Sequence, residues 1–173
     1  MPKRPAAAAD PMNASVRRSC EKLEETLAGS PAFQRVDKNF YVVRQGSAYV
    51  YILIAEWGID RALVRFVAQL VRGVELKGDL AAKLLRLNAR MRFGAFGFVK
   101  DDSCITFSHT LLGGETLDKD HILATLRDVA LVADEYDDKI IAECGGQTMQ
   151  QILEETALNS LKDHLEHRGW GEA

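Results

Sequence analysis

The fold is decided by residues 84–112, which read LLRLNARMRFGAFGFVKDDSCITFSHTLL. The segment contains the end of an apolar helical stripe, in which Leu80, Leu84, Leu87 and Met91 recur every three or four residues. Two strand-like runs follow, and the polar residues KDDS between them predict a turn. The segment therefore predicts a helix that leads into an antiparallel β-hairpin.

The residues before this segment first predict a helix over residues 13–28 and then strands over residues 33–43 and 48–55. The apolar face of the helix consists of Val16, Cys20, Leu23 and Leu27. In the second strand Tyr49, Tyr51 and Leu53 alternate with Val50, Ile52 and Ile54. Because both faces of this strand are apolar, we expect it to lie centrally in a sheet or to have its second face covered.

Residues 62–71 have a composition that suits a helix, but their alternation favours a strand. One face would be entirely apolar, with Ala62, Val64, Phe66, Ala68 and Leu70. The other would combine Leu63, Val67 and Val71 with Arg65 and Gln69. The residues before the decisive segment therefore predict three strands.

Two helices are predicted after the hairpin. The first can be capped by Thr116 or Asp118, and Gly145-Gly146 supplies a left-handed end. Its apolar stripe consists of Ile122, Leu126, Val129, Ala133, Tyr136 and Ile140. The second helix covers residues 147–167, with Met149, Ile152, Leu153, Ala157, Leu161 and Leu165 on one side.

The resulting order is α-β-β-β-α-β-β-α with an additional C-terminal helix. It predicts an α+β fold of two layers, in which helices cover one face of a five-stranded, mainly antiparallel sheet. We expect residues 1–12 to be a flexible leader, residues 13–146 to form one domain and residues 147–173 to form a C-terminal amphipathic helix.

The second face of the predicted sheet keeps apolar side chains, such as Tyr49, Tyr51 and Phe96 or its neighbours. Monomers seldom expose a large apolar patch, so this face predicts a homodimer or a bound partner. The C-terminal helix could also cover it. The residues that we expect to contact a partner are Tyr49, Tyr51, Phe96 and Phe98.

Composition excludes several classes of protein. The chain has 173 residues with 47% hydrophobic and 27% charged residues, which fits one ordinary globular domain. A net charge of −3 argues against a nucleic-acid partner and against a polybasic membrane anchor. The apolar run 48–55 is too short to span a membrane. Three cysteines, none at CxxC spacing, fit a reducing cytoplasm.

No motif predicts a catalytic residue, a cofactor or a metal site. The carboxylates of Asp134, Asp137 and Asp138 share a helical face and could bind Mg²⁺ or Ca²⁺, but no oxygen-rich loop accompanies them, which favours a solvated, ion-paired face. His164 and His167 share a helical face without the further ligands of a zinc site. A metal-dependent enzyme that uses the aspartates or His121 remains one alternative.

Two parts of the sequence carry a family resemblance. Leu85 and Asn88 form a Leu-x-x-Asn pattern, after which Phe93-Gly94 opens the hairpin, and the run ADEY at residues 133–136 lies in the following helix. Over residues 33–146 this order resembles the YbjN-like family of bacterial proteins, which share the fold of type III secretion chaperones. The C-terminal helix and the leader lie outside the resemblance.

The resemblance implies a non-catalytic, usually dimeric module that binds extended protein segments or acts as a regulator. We therefore expect a chaperone-like or regulatory adaptor that binds a segment of a partner protein. The alternative is a small-molecule-sensing regulator with a pocket under the third helix.

Overall fold

The computed structural model describes the backbone of residues 13–167 and the side chains of residues 13–159. The predicted leader, residues 1–12, lies outside the described residues. The side chains of Leu161, His164, Leu165 and His167 also lie outside them.

The chain forms the predicted α+β fold. The helices of the described part are α1 (Ala14–Leu27), α2 (Gly78–Asn88), α3 (Lys119–Cys144) and α4 (Met149–His167). The strands are β1 (Phe33–Asp37), β2 (Phe40–Gln45), β3 (Ala48–Glu56), β4 (Ala62–Arg72), β5 (Ala95–Val99), β6 (Cys104–Leu112) and β7 (Gln147–Thr148). A single 3₁₀ turn, Gly114–Thr116, follows β6.

The strands form one sheet in the order β1-β2-β3-β4-β6-β5, and each neighbouring pair is antiparallel. The two-residue β7 pairs with the end of β4. The antiparallel sheet was predicted correctly, but the count of five strands was wrong. The predicted strand over residues 33–43 is two strands, because the chain turns back between Asp37 and Phe40, where the Asp37 carboxylate accepts the Lys38 amide at 2.7 Å.

The core lies between one face of the sheet and helices α1, α2 and α3. The predicted stripes of all three helices contribute to it. Residues 62–71 form the predicted strand, with Ala62, Val64, Phe66, Ala68 and Leu70 buried. A register irregularity between Gln69 and Val71 also buries Val71, so its predicted place on the opposite face was wrong.

Polar contacts attach α1 to the segment that follows β6. The Lys22 ammonium donates to the carbonyls of Gly114, Glu115 and Leu117 at 2.8–3.2 Å. The buried Ser19 hydroxyl accepts the Gly114 amide at 2.7 Å. These bonds satisfy backbone groups of the 3₁₀ turn and hold the helical layer against the sheet.

The C-terminal part of the fold follows the sequence prediction closely. The Asp118 carboxylate caps α3 by accepting the His121 amide at 2.9 Å, and Gly145 ends the helix at φ 71°. The last helix begins two residues later than predicted, because Gln147 and Thr148 pair with β4 as β7. The chain therefore contacts the sheet again before it enters α4.

His109 links β6 to the start of the hairpin. Its Nδ1 accepts the Gly94 amide at 2.9 Å, and its ring packs edge-on against Phe93. Burial lowers the pKa of the imidazole, although Asp128 acts in the opposite direction. The folded state therefore prefers the neutral imidazole, in which Nδ1 carries no proton and can accept the hydrogen bond.

We expect the free energy of unfolding to fall as the pH drops below about 6.5, the ordinary histidine value. The unfolded chain binds a proton more readily than the folded chain, so protonation favours unfolding, and it also breaks the bond to Gly94. Urea unfolding at about pH 7.5 and about pH 5.5 measures the effect, and His109→Asn should reduce the pH dependence. An unchanged pH dependence in His109→Asn would contradict the assignment.

Candidate functional site

The sheet face opposite the helices is the candidate site, and we call it the open face. Leu112 on β6 lies on this face, opposite Leu63. The central apolar strip lies on the three strands β2, β3 and β4. It consists of Phe40, Val42, Tyr49, Tyr51, Leu53, Leu63 and Val67. Leu53 is exposed and the other six side chains are half-buried. This arrangement leaves a continuous apolar strip accessible to a partner.

The strand register places three of these side chains in one row. Val42 lies opposite Tyr51, and Tyr51 lies opposite Val67 on its other side. The Phe40 ring stacks on Tyr51 with centroids 6.0 Å apart. Along each strand, residues that point to the open face alternate with residues that point into the core. The strip therefore follows directly from the apolar residues on both faces of β3.

On β2 and β4 the charged residues that point outward on this face are Arg44, Arg65 and Arg72. Asp37 at the end of β1 lies opposite Phe40, at the margin of the same face. Arg72 pairs with Asp102 at 2.8 Å. Arg44 lies over the Tyr49 ring, and Arg65 donates to the Ser108 hydroxyl. Neither of these two pairs with a carboxylate among the described residues. The open face is therefore apolar and positively charged.

Cys104 is buried on the open face, away from the helix-side core. Burial raises the pKa of its thiol, although the neighbouring Gln69 has the opposite effect. Burial also raises the pKa of the Tyr51 phenol. Both groups therefore stay protonated at neutral pH, which suits contact with apolar groups better than nucleophilic attack.

The structure separates the four residues that we predicted to contact a partner. Tyr49 and Tyr51 lie on the open face. Phe96 lies on the opposite face, so the prediction that it shares a face with the tyrosines was wrong. It pairs with Phe107 and packs edge-on against the rings of Phe107 and Tyr136.

Phe98 also faces the helical layer, where it is half-buried against the core. The positions of β5 that point toward the open face are Ala95, Gly97 and Val99. Sequence reasoning placed Leu53, Leu63 and Val67 on outward faces but did not select them as contact residues. Their period-two alternation with the core positions was the available signal.

The two edges of the sheet differ. The Asn88 side chain accepts the Phe96 amide at 2.7 Å and donates to the Phe96 carbonyl at 3.1 Å. It therefore occupies the outer edge of β5 as a neighbouring strand would. At the other edge, β1 has no strand partner beyond β2 among the described residues, and Val36 there is 59% exposed. The β1 edge is thus available for backbone pairing.

A polar cavity of about 350 Å³ lies beside α3, between β3, β4 and the first turns of α4. Its lining includes the carboxylates of Asp134, Asp137, Asp138 and Glu154. Burial, with the nearby Asp138 and Asp134 charges, raises the pKa of Asp137. Within the described residues no three histidine, cysteine or acidic side chains are placed to hold a metal ion.

None of the described helices combines the length and the apolarity that crossing a membrane requires. No curated protein shows significant similarity to the chain. The family model described as T3SS (YopN, CesT) and YbjN peptide-binding chaperone 1, TY-Chap1, matches residues 14–152. The match extends from α1 into the first turn of α4 and confirms the resemblance to the YbjN-like family. The chain belongs to the TY-Chap1 family of peptide-binding chaperones.

Proposed function

We propose that this protein is a non-catalytic, chaperone-like adaptor of the cytoplasm that holds an extended segment of a partner protein on its open face. The segment alternates apolar and acidic residues. In the absence of a bound segment the protein is a homodimer. The observation that carries the proposal is the apolar strip around Tyr51 with two arginines that have no carboxylate partner among the described side chains.

The apolar strip supplies the affinity. Each 100 Å² of apolar surface removed from water contributes about 2.5 kcal/mol before the cost of ordering the bound segment. Tyr49 and Tyr51 offer large aromatic surfaces, and such residues are frequent at the energetic centres of interfaces. Leu53, 42% exposed, extends the surface along β3.

The arginines supply the preference for acidic segments. Arg44 and Arg65 lie on either side of β3, so acidic side chains of a bound segment can pair with them while its apolar side chains contact the strip. The free edge of β1 can add backbone hydrogen bonds to a segment that extends beyond β2. The three free thiols of Cys20, Cys104 and Cys144 support a reducing compartment.

A synthetic peptide tests the proposal. A fluorescent peptide of about 12 residues that alternates valine or leucine with glutamate should bind, and Leu53→Asp should weaken its affinity by about tenfold or more. The introduced carboxylate would be desolvated against apolar groups and repel the glutamates. Fluorescence anisotropy measures the affinity, and Leu53 is exposed enough for the variant to fold.

Two controls sharpen this experiment. Leu131→Asp makes the same change at a 57% exposed leucine on α3 and should leave the affinity unchanged. A peptide with lysine in place of glutamate should bind more weakly, because Arg44 and Arg65 repel it. Equal binding by the wild type and Leu53→Asp would rule out the open face as the binding surface.

The second candidate, a small-molecule-sensing regulator, is favoured by the polar cavity beside α3. Its carboxylates suit a small cationic ligand. Asp137→Asn separates the two candidates, because it changes the cavity and leaves the open face intact. Peptide affinity that survives Asp137→Asn but not Leu53→Asp supports the adaptor.

A further inference from the structure

The helix α4 has an unusual place in the fold. The family match ends at residue 152, and from Leu153 to Asn159 every side chain is exposed. The first turn of α4 lies near the ends of β3 and β4, where Met149 lines the same cavity as Tyr49. The helix therefore begins at the rim of the open face and then leaves its own sheet uncovered.

An exposed helix of this composition lacks the contacts that usually stabilise helices. Leu153 is 41% exposed and Leu158 is 65% exposed. In the sequence, Leu153, Ala157, Leu161 and Leu165 recur every four residues. Because packing of an apolar stripe supplies most of the stability of a helix in a protein, this stripe indicates a surface that another element covers.

Charge identifies the surface that complements α4. Residues 149–167 contain four acidic residues and one lysine. On β2 and β4, which carry the apolar strip together with β3, the outward-facing charges are the arginines Arg44, Arg65 and Arg72. An acidic helix with an apolar stripe therefore matches an apolar strip bordered by arginines.

The length of α4 is also sufficient to cover the open face. Nineteen helical residues extend about 28 Å. The four strands from β2 to β6 span about 14 Å between the outermost axes. The helix is long enough to cross the whole strip. Because residues 13–159 of its own chain leave both surfaces uncovered, two copies related by a twofold axis can cover both at once.

We propose that α4 of one copy packs across the open face of a second copy, and reciprocally, so that the dimer is formed by helix exchange. A bound partner segment must then displace α4. The competition rests on the proposed function, whereas the exchange of helices does not. Each copy is consequently inhibited by the C-terminal helix of the other copy until a segment with higher affinity arrives.

Oligomeric state tests the exchange. Light scattering on the full chain should give a dimer. A helix variant, Leu153→Asp with Ala157→Asp, should be monomeric, and so should a face variant, Leu53→Asp with Leu112→Asp. All four side chains are exposed, so neither variant removes a core residue. The control Leu131→Asp on α3 should remain a dimer.

Mixing the two variants separates exchange from other arrangements. The helix variant keeps an intact open face and the face variant keeps an intact α4, so the mixture should form heterodimers through one of the two contacts. A monomeric wild type, a dimeric helix variant or a mixture that stays monomeric would overturn the exchange.

The acidic peptide tests the competition. Peptide added to the wild type should convert dimers into monomers, and the helix variant should bind it about tenfold more tightly, because no helix has to be displaced. Equal affinity for both proteins would overturn the competition and leave the proposed function standing. Helix exchange without any peptide binding would overturn the proposed function and leave the exchange standing.

Discussion

Replacing Gly94 by alanine is expected to lower the free energy of unfolding by about 2–5 kcal/mol. Gly94 has φ +65°, a conformation that alanine adopts at a cost. An added Cβ would lie 2.5 Å from Cζ of Phe107 and 2.9 Å from the Ser108 carbonyl oxygen. Phe107 is fully buried, so its ring has little room to move away.

Gly97→Ala, in the strand β5 that begins just after Gly94, is the matched control. Gly97 has no positive φ, and its Cβ would lie 3.3 Å from the Thr106 hydroxyl oxygen. We expect a change below about 1 kcal/mol, because alanine also suits an extended strand better than glycine does. Urea unfolding of the two variants measures the difference. If both variants lost a similar free energy of unfolding, the close contact with Phe107 would not be the reason why position 94 requires glycine.

Replacing Asn88 by alanine is expected to cost about 2–4 kcal/mol, because the amide and carbonyl of Phe96 both lose their partner. Phe96 is 6% exposed, so water reaches these backbone groups poorly. The outer edge of β5 would also become available to other strands, so we expect Asn88→Ala to self-associate more readily. Urea unfolding and light scattering measure the two effects.

Asn88→Asp provides a sharper form of the same prediction. Its carboxylate can accept the Phe96 amide but cannot donate to the Phe96 carbonyl, as Asn88 does. Protonation restores a donor, so the difference in stability between Asn88→Asp and the wild type should shrink at about pH 4. A difference that does not depend on pH would contradict the role of the donated bond.

The role of Asn88 marks a limit of sequence reasoning. The Leu-x-x-Asn pattern contributed to the family resemblance, and the helix and the hairpin around it were predicted correctly. Its contact with Phe96 joins the end of a helix to a strand edge. Which backbone groups remain unpaired at that edge depends on the strand order, and hydrophobic periodicity does not report strand order.

Phe96 shows a second limit. The alternating run from Ala95 to Val99 predicted a strand, but its facing was wrong by one residue. A shift of one residue exchanges the two faces of a strand, and glycine at position 97 gives no apolar signal to distinguish them. The register with β6 settles the facing, because it places Phe96 beside Phe107 and Ala95 beside Ser108.

The sequence by itself determined the class of the fold, the helical stripes and the two apolar faces of β3. Each depends on local spacing along the chain, which side-chain periodicity reports directly. The tertiary structure alone decided that Tyr51 stays accessible, that Phe96 is buried, that Asn88 closes the β5 edge and that α4 leaves the sheet. These features depend on which strands become neighbours and on where a helix lies relative to the sheet. Contacts between residues that are far apart in the sequence determine both.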